Sequence, residues 1–446
     1  MIKRFLRRLF SQKTINYYHL AQAALANFIY GYPGKKLKVI GVTGTNGKTT
    51  TCHLIASVLE AGRKSVGMTT TIDFRIGPKR TENIIKMTTV SPFLLQKMLK
   101  QMVAAGCEYA VIEVTSIALD QHRLWGIPFQ TVVFTNLTHD HLDYHGTMTG
   151  YRRSKEQLFA GRPGLSVINA DDPSSEHFLH YSANRTLTYG IKQPASVMAK
   201  KLYQRPGGTD FVLLVGQRQA SMSLSLPGTF NVYNALAATA VGLGLGMNLD
   251  DVIGGLKRVE SVPGRMEVID SGQAFTVIVD YAHTPDALQK VYETVKPTVR
   301  GRLISVLGAT GRRDKAKRPI LGALAGKYAD YVLITNEDPY DEDPNAIIDE
   351  VAAGVPRGRP NRGGRLKINK DSEVPINYKE TGEDIWWWRV PDRKVAIAKA
   401  LAMARPQDAV VVTGKGAEKV MAVGDKLVPY SDRAVLEELL VKYQIK

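Results

Sequence analysis

The chain has 446 residues, 44% hydrophobic and 23% charged, a balance that fits two or three globular domains and excludes disordered, collagenous and coiled-coil classes. Lysine and arginine number 59 against 42 acids, a formal net charge of +17, which points to an anionic partner such as a nucleotide, a nucleic acid or a membrane surface. Two cysteines, Cys52 and Cys107, cannot form a disulfide framework, so the expected compartment is the cytoplasm.

At the N-terminus, Ile2, Phe5, Leu6, Leu9 and Phe10 share one helical face, opposite Lys3, Arg4, Arg7 and Arg8. That pattern predicts an interfacial basic helix and peripheral contact with the inner membrane surface. Residues 14–34 then contain no charged side chain, but Asn16, His19, Gln22 and Asn27 interrupt them, which argues against a transmembrane helix. The competing reading is a helix docked on the body of the protein or in a dimer interface. Residues 1–36 are thus expected to form a short basic and apolar helical segment, and no signal peptide is predicted.

From Leu37 an apolar strand leads into Gly44-Thr45-Asn46-Gly47-Lys48-Thr49-Thr50 and then a helix over Cys52–Glu60. Strand, glycine loop and helix form the context of a phosphate-binding loop, in which backbone N–H groups surround phosphate. Lys48 would neutralise the β and γ oxygens, and the Thr49 hydroxyl would reach Mg²⁺. Val42 stands where the strict pattern has its first glycine, so the loop is a variant flanked by Gly41 and Gly44.

Apolar runs at Tyr109–Ile112, Thr131–Phe134 and Ser166–Ile168 alternate with helical stretches, predicting a mostly parallel sheet covered on both faces. Ligands in such sheets bind beyond the carboxyl ends of strands. Glu113 follows the first run; Asn136, Thr138, His139, Asp140, His141, Asp143 and His145 follow the second. A zinc-hydrolase reading of His139, His141 and Asp143 lacks the Asp-His that should come next and any second histidine-rich motif. Magnesium held by Glu113 and Thr49, with one histidine added, suits the neighbouring phosphate loop better.

The second half repeats the alternation at Phe275–Val279, Leu303–Leu307, Tyr331–Thr335 and Ala409–Thr413. The expected fold class is therefore α/β: a central phosphate-loop domain over 37–263 and a second doubly wound, Rossmann-like domain over 264–446. Within the latter, an insertion near 357–389 opens with Arg357, Arg359, Arg362, Arg365, Lys367 and Lys370 and ends in Trp386-Trp387-Trp388. Such a segment could stack on bases or a membrane interface, but a loop whose tryptophans pack on the domain is the favoured reading. No base-reading motif is present, so nucleic acid is not expected as a partner, and a nucleic-acid-dependent NTPase survives only as a distant alternative.

Six motifs in order carry a resemblance over residues 37–440: Thr43-Gly44-Thr45-Asn46-Gly47-Lys48-Thr49-Thr50, Glu113-Val114-Thr115-Ser116, Asn136-Leu137-Thr138-His139-Asp140-His141-Leu142-Asp143-Tyr144-His145-Gly146, Gly228-Thr229-Phe230-Asn231-Val232-Tyr233-Asn234-Ala235, Pro263-Gly264-Arg265-Met266-Glu267 and Asp280-Tyr281-Ala282-His283-Thr284-Pro285-Asp286. Together they resemble the Mur ligases, and within them the branch that adds the third residue to a muramoyl peptide. The resemblance implies an ATP- and Mg²⁺-dependent amide ligase of peptidoglycan precursor synthesis. It would add an amino acid, a diamino acid by preference, to a UDP-muramoyl peptide through an acyl phosphate. A related ligase acting on a lipid-linked or other carboxylate, of polyglutamylating type, is the alternative.

By the same resemblance, Glu113 and His141 match magnesium ligands, Thr49 joins them, and Lys155 falls where the family carries a carbamylated lysine. Asn231 and Asn234 match the adenine-contacting segment; Arg265, Asp280 and His283 match the ATP face of the C-terminal domain. Thr88, Thr89, Ser116 and Arg123 match contacts to the muramoyl peptide. Asp338, Tyr340, Gly414 and Glu418 would meet the incoming amino acid. Two departures stand out. Full-length members carry a uridine-binding domain ahead of the loop where this chain has 42 residues before Thr43, so the acceptor is expected to be held differently, as a nucleotide- or lipid-linked muramoyl peptide. Tyr340 also stands where diaminopimelate-adding members have an arginine, which removes a bidentate partner for the distal carboxylate.

Overall fold

The computed structural model describes residues 11–205, 207–356 and 386–442. The face predicted over residues 2–10 and the basic stretch 357–370 lie outside the described residues. The chain divides into two compact units: an N-terminal one running to Glu260, and a C-terminal one from Ser261 onward that also gathers His139–Asp143 and Arg205–Gly207.

The N-terminal unit is built on one sheet of β1 (Lys38–Thr43), β2 (Val66–Thr69), β3 (Asp73–Ile76), β4 (Lys79–Glu82), β5 (Tyr109–Glu113), β6 (Phe129–Phe134), β7 (Leu165–Asn169), β8 (Arg185–Gly190), β9 (Val197–Arg205), β10 (Gly208–Val215) and β11 (Arg218–Leu224). The order is β11-β10-β9-β8-β7-β6-β1-β5-β2-β3-β4. From β2 to β9 the pairings are parallel; β2–β3, β3–β4 and β10–β11 are antiparallel. The ribbon β3–β4 and the strands beyond β7 add to the runs read from the sequence: β4 is wholly polar and β3 alternates, whereas Phe211–Val215 of β10 is a continuous apolar run that carried a readable signal.

At the centre, Val39, Ile40, Val42, Ala110, Val111, Ile112, Val132 and Val133 are fully buried. Gly41 lies inside β1, where a Cβ would come within 2.7 Å of the Phe129 ring, so it serves strand packing and not the phosphate loop. The helix Lys48–Ala61 packs against Thr229–Gly244 and Leu249–Lys257; at the latter crossing a Cβ on Gly255 would sit 2.5 Å from Val58 Cα.

The charge-free stretch forms the helix Gln12–Tyr30, capped by Ser11 and by left-handed Gly31. It docks through Ala23, Ala26 and Asn27, and Asn27 Nδ2 donates to the carbonyls of Ala23 and Trp125 at 2.9 and 2.7 Å. Among the described residues, no helix is long and apolar enough to cross a membrane.

The C-terminal unit holds β12 (Glu267–Val268), β13 (Thr276–Asp280), β14 (Leu303–Leu307), β15 (Tyr331–Thr335), β16 (Trp387–Val390) and β17 (Ala409–Thr413), in the order β12-β13-β17-β14-β15-β16. All neighbours are parallel except β12–β13. A hairpin of β18 (Val420–Val423) and β19 (Lys426–Pro429) follows. Trp386 is buried, and Trp387 and Trp388 pair with Val332 and Leu333 of β15. Residues 387–390 form the edge strand of this sheet, with Trp386 buried just before it.

Candidate active site

The phosphate loop leaves β1 at Thr43 and enters the helix at Lys48, with Gly44 and Gly47 at φ 147° and 83°. A Cβ on Gly44 would lie 1.8 Å from Thr135 Oγ1, and one on Gly47 2.4 Å from Asn234 Oδ1, so neither position accepts a side chain. The loop is pinned from β6's carboxyl end. Thr45 N–H donates to Asn136 O at 2.8 Å, Asn46 N–H to Asn136 Oδ1 at 2.9 Å, and Thr135 Oγ1 to Asn46 O at 2.7 Å. Thr45 Oγ1 accepts from Thr138 N at 3.0 Å and lies 3.2 Å from the Tyr151 hydroxyl.

Helices beginning after Ser11, Thr115, Thr147, Asn248, Thr284, Asp343 and Asp392 are capped by those side chains. The helix Lys48–Ala61 has Gly47 at its cap position and no side-chain cap, as Pro92–Ala104, Thr229–Gly244 and Lys317–Tyr328 also have none. Its first-turn N–H groups, the positive end of the helix dipole, thus suit an anion. Two ammonium groups converge there on one carbonyl: Lys48 Nζ donates to Gly44 O at 3.0 Å and Thr45 O at 2.7 Å, and Lys155 Nζ donates to Gly44 O at 2.7 Å. Lys155 is fully buried, not the surface lysine its sequence context alone would suggest.

Glu113, buried at the carboxyl end of β5, is the hub of the neighbouring group. Its Oε2 accepts from Thr49 Oγ1 at 2.9 Å and from Thr71 N–H at 2.8 Å, while Oε1 lies 3.0 Å from Thr71 Oγ1. Thr71 Oγ1 is also 2.9 Å from Thr88 Oγ1. Thr89 Oγ1 donates to Glu113 O and accepts from Thr115 N–H, and Arg123 Nη1 donates to Thr89 O at 2.8 Å. Burial lowers the Arg123 pKa to about 10, and its Nε has no partner. Ser116 Oγ is 2.9 Å from His145 Nε2, whose Nδ1 meets Ser154 Oγ at 3.2 Å. Thr71 and Tyr151 were missed in the sequence; the run Thr69-Thr70-Thr71 at the end of β2, beside β5, was the available signal for the first.

Asn231 and Asn234 are buried and internally bonded. Asn231 Nδ2 donates to Pro227 O at 2.7 Å, Asn234 Nδ2 to Asn231 Oδ1 at 3.0 Å, and Thr51 Oγ1 donates to Asn234 Oδ1 at 3.2 Å. Their amides brace the start of the helix Thr229–Gly244, with Asn234 Oδ1 where a Cβ on Gly47 would fall.

In the C-terminal unit Asp280 is similarly committed: Met266 N–H and Ala282 N–H donate to its two oxygens, each at 2.7 Å, clamping the entry segment onto β13. Arg265 stacks on the Tyr281 ring at 4.3 Å. His283 Nδ1 donates to Tyr281 O at 2.8 Å, leaving Nε2 4.0 Å from Asp140 Oδ2. Burial and the Lys317 ammonium lower His283 to about 4. Burial pushes Asp140 up, but His141, Lys317 and His283 outweigh it and hold the carboxyl below its usual range. His141, at φ 55°, has Nε2 3.4 Å from Asp140 Oδ2, and His139 Nε2 is 2.7 Å from Asp314 Oδ2.

Asp338, Tyr340, Gly414 and Glu418 come together around a residue to which the sequence reading gave no role. Lys415, fully buried, donates to Asp338 Oδ1 and Oδ2 at 3.0 and 3.1 Å, to Glu418 Oε2 at 2.5 Å and to Val420 O at 2.7 Å. Glu337 lies beneath Gly414, where a Cβ would be 2.2 Å from Glu337 Oε2; that oxygen has no partner, and burial raises the carboxyl's pKa. Tyr340 adopts φ 52° and is anchored by backbone bonds to Ala422 and Gly424, with the Arg312 guanidinium 5.1 Å over its ring.

The donor set fits a magnesium nucleotide. Thr49 and Glu113 present hard oxygens side by side at the loop. Among the described residues no three of His, Cys, Asp and Glu form a metal cluster. One or two protein oxygens completed by phosphates and water is how magnesium is held beside nucleotides.

A family model described as the Mur ligase middle domain matches residues 42–242, and one described as the Mur ligase, glutamate ligase domain matches residues 264–416. A 2,6-diaminopimelate ligase of UDP-N-acetylmuramoyl-L-alanyl-D-glutamate from Geobacillus thermodenitrificans is 40% identical over 423 residues, 93% of this chain and 81% of the relative. A UDP-N-acetylmuramyl-tripeptide synthetase from a Roseiflexus species is 41% identical over 440 residues, 95% of this chain and 82% of the relative. A solved structure of a diaminopimelate ligase of the first kind superposes with a TM-score of 0.62 at 28% identity, covering 95% of this chain and 83% of that one.

Proposed function

The chain belongs to the Mur ligase family, and from that premise we propose that it lengthens a UDP-muramoyl dipeptide by one amino acid, at the expense of ATP, in the cytoplasmic assembly of peptidoglycan precursors. The observation that carries the reading is the cradle in which Lys48, Lys155 and an uncapped helix end surround Gly44 beside the Thr49–Glu113 pair.

The substrate carboxylate attacks the γ-phosphorus, the bond to the ADP oxygen breaks, and an acyl phosphate forms. The amine of the incoming amino acid then attacks the acyl carbon; the tetrahedral intermediate expels inorganic phosphate, and the amine proton passes to solvent. Lys48 and the loop N–H groups stabilise the charge moving onto the β–γ bridging oxygen. Magnesium would supply neutralisation of the phosphoryl oxygens when bound, with Thr49 and Glu113 as the residues that would hold it. Thr88, Thr89, Ser116 and Arg123 hold the peptide acceptor, Arg123 as the buried cation facing its carboxylates.

Lys155 fits the carbamylated position. A carbamate retains one N–H on Nζ, so the bond to Gly44 O could survive while the new carboxylate would offer oxygens to a bound metal. Labelling with carbon-13 bicarbonate should give a carbamate signal that is absent in Lys155→Arg.

The incoming residue is a diamino acid. Glu337, Asp338 and Glu418 supply carboxylates for an ammonium group, alongside the cations Lys415, Arg393 beside Glu337 and Arg312 over the Tyr340 ring. Phosphate release should require ATP, UDP-muramoyl dipeptide and amino acid together; equal release without acceptor would contradict the reading.

A further inference from the structure

The helix Gln12–Tyr30 has an outward face that no element of the described structure covers. Tyr17, Tyr18, Leu25, Phe28 and Ile29 are each more than half exposed, Tyr17 at 70% and Phe28 at 72%. At 100° per residue the five fall within an arc of about 120° and run about 18 Å along the axis. The opposite side, Ala23, Ala26 and Asn27, is buried against the body. Surface helices of globular proteins normally put charged side chains outward; this one has none between Lys13 and Lys35.

The charges lie at the ends. Lys13 is exposed at one end of the helix, and Lys35 and Lys36 just beyond the other. The sequence up to Lys13 adds Lys3, Arg4, Arg7 and Arg8 without a single acid. Trp125, whose carbonyl accepts from Asn27, is half exposed beside the C-terminal half of the helix. An aromatic and aliphatic strip bracketed by cations is complementary to a surface that is apolar beneath an anionic layer. A second copy pairing through the same strip would bring like charges together at the ends, whether the helices ran parallel or antiparallel.

We propose that this face docks on an anionic lipid bilayer, lying in its plane and holding the ligase at the membrane surface. The contact is independent of the ligation site.

Co-sedimentation of the full chain with vesicles of phosphatidylcholine alone, or with phosphatidylglycerol added, tests it. Binding is expected only to the anionic vesicles, falling as salt rises. The double variant Leu25→Ser, Phe28→Ser should partition at least about tenfold more weakly while keeping wild-type ATP-dependent ligation and thermal stability. Equal binding of variant and wild type would overturn the proposal, since charge alone would then be responsible. Failure to bind anionic vesicles, or self-association that the variant abolishes without any vesicle binding, would overturn it too, the latter in favour of a second copy.

Discussion

The nucleotide cradle and the Lys415 cluster are built on opposite logics. The cradle is a matter of backbone: two glycines whose Cβ positions are already occupied, an uncapped helix end, and carbonyls gripped by Lys48 and Lys155. The Lys415 cluster is a matter of side chains drawn from Glu337–Tyr340 and Gly414–Glu418, closed by the backbone of β18. A side-chain cluster can be retuned one residue at a time, which suits it to the amino-acid selection we propose for it.

The largest expected effect comes from the cradle. Lys48→Ala should lower ATP-dependent product formation by about a thousandfold or more with an unchanged circular dichroism spectrum. Gly44→Ala should do the same damage through geometry, because its Cβ cannot coexist with Thr135 Oγ1; a fully active Gly44→Ala enzyme would break the claim that the backbone shapes this site.

The cluster should respond in stability first. Lys415→Met leaves buried Asp338 and half-buried Glu418 without that cation, a cost of about 3 kcal/mol visible as a lower melting temperature. Tyr340→Arg should instead spare stability and shift preference towards diaminopimelate by roughly tenfold, in KM for the amino acid more than in kcat.

The smallest effect is a pH dependence. His283 is held to about 4 by burial and Lys317, below the 6.5 of an unperturbed histidine, so the unfolded chain takes up the proton first on acidification. Stability is therefore lost as the pH falls from 6.5 towards 4, by on the order of 1 kcal/mol for a partly exposed ring. Melting temperatures of wild type and His283→Asn across that window should converge at the acid end.

The same contrast explains what could be read from the residues. Gly44 to Thr50 is contiguous, and its neighbours Glu113 and Asn136 sit at strand ends that parallel-sheet topology places beside it. Strand cores at Tyr109, Leu303, Tyr331 and Ala409 were visible because buried parallel strands are continuously apolar. Lys415 gave no such sign; that it would be buried among carboxylates depends on β18 folding back, which no local pattern encodes. Asn231, Asn234 and Asp280 were legible as motif residues, but the hydrogen bonds they make to Pro227, Thr51, Met266 and Ala282 depend on tertiary contacts that no local pattern encodes.

The most direct test of the central claim is mass analysis of the product formed from ATP, magnesium, UDP-N-acetylmuramoyl-L-alanyl-D-glutamate and a panel of amino acids that includes lysine and meso-diaminopimelate. The account predicts a gain of one diamino acid residue, with one ADP and one phosphate per product and none from Lys48→Ala. ATP turnover without any amide product, or product formed equally well by Lys48→Ala, would contradict it.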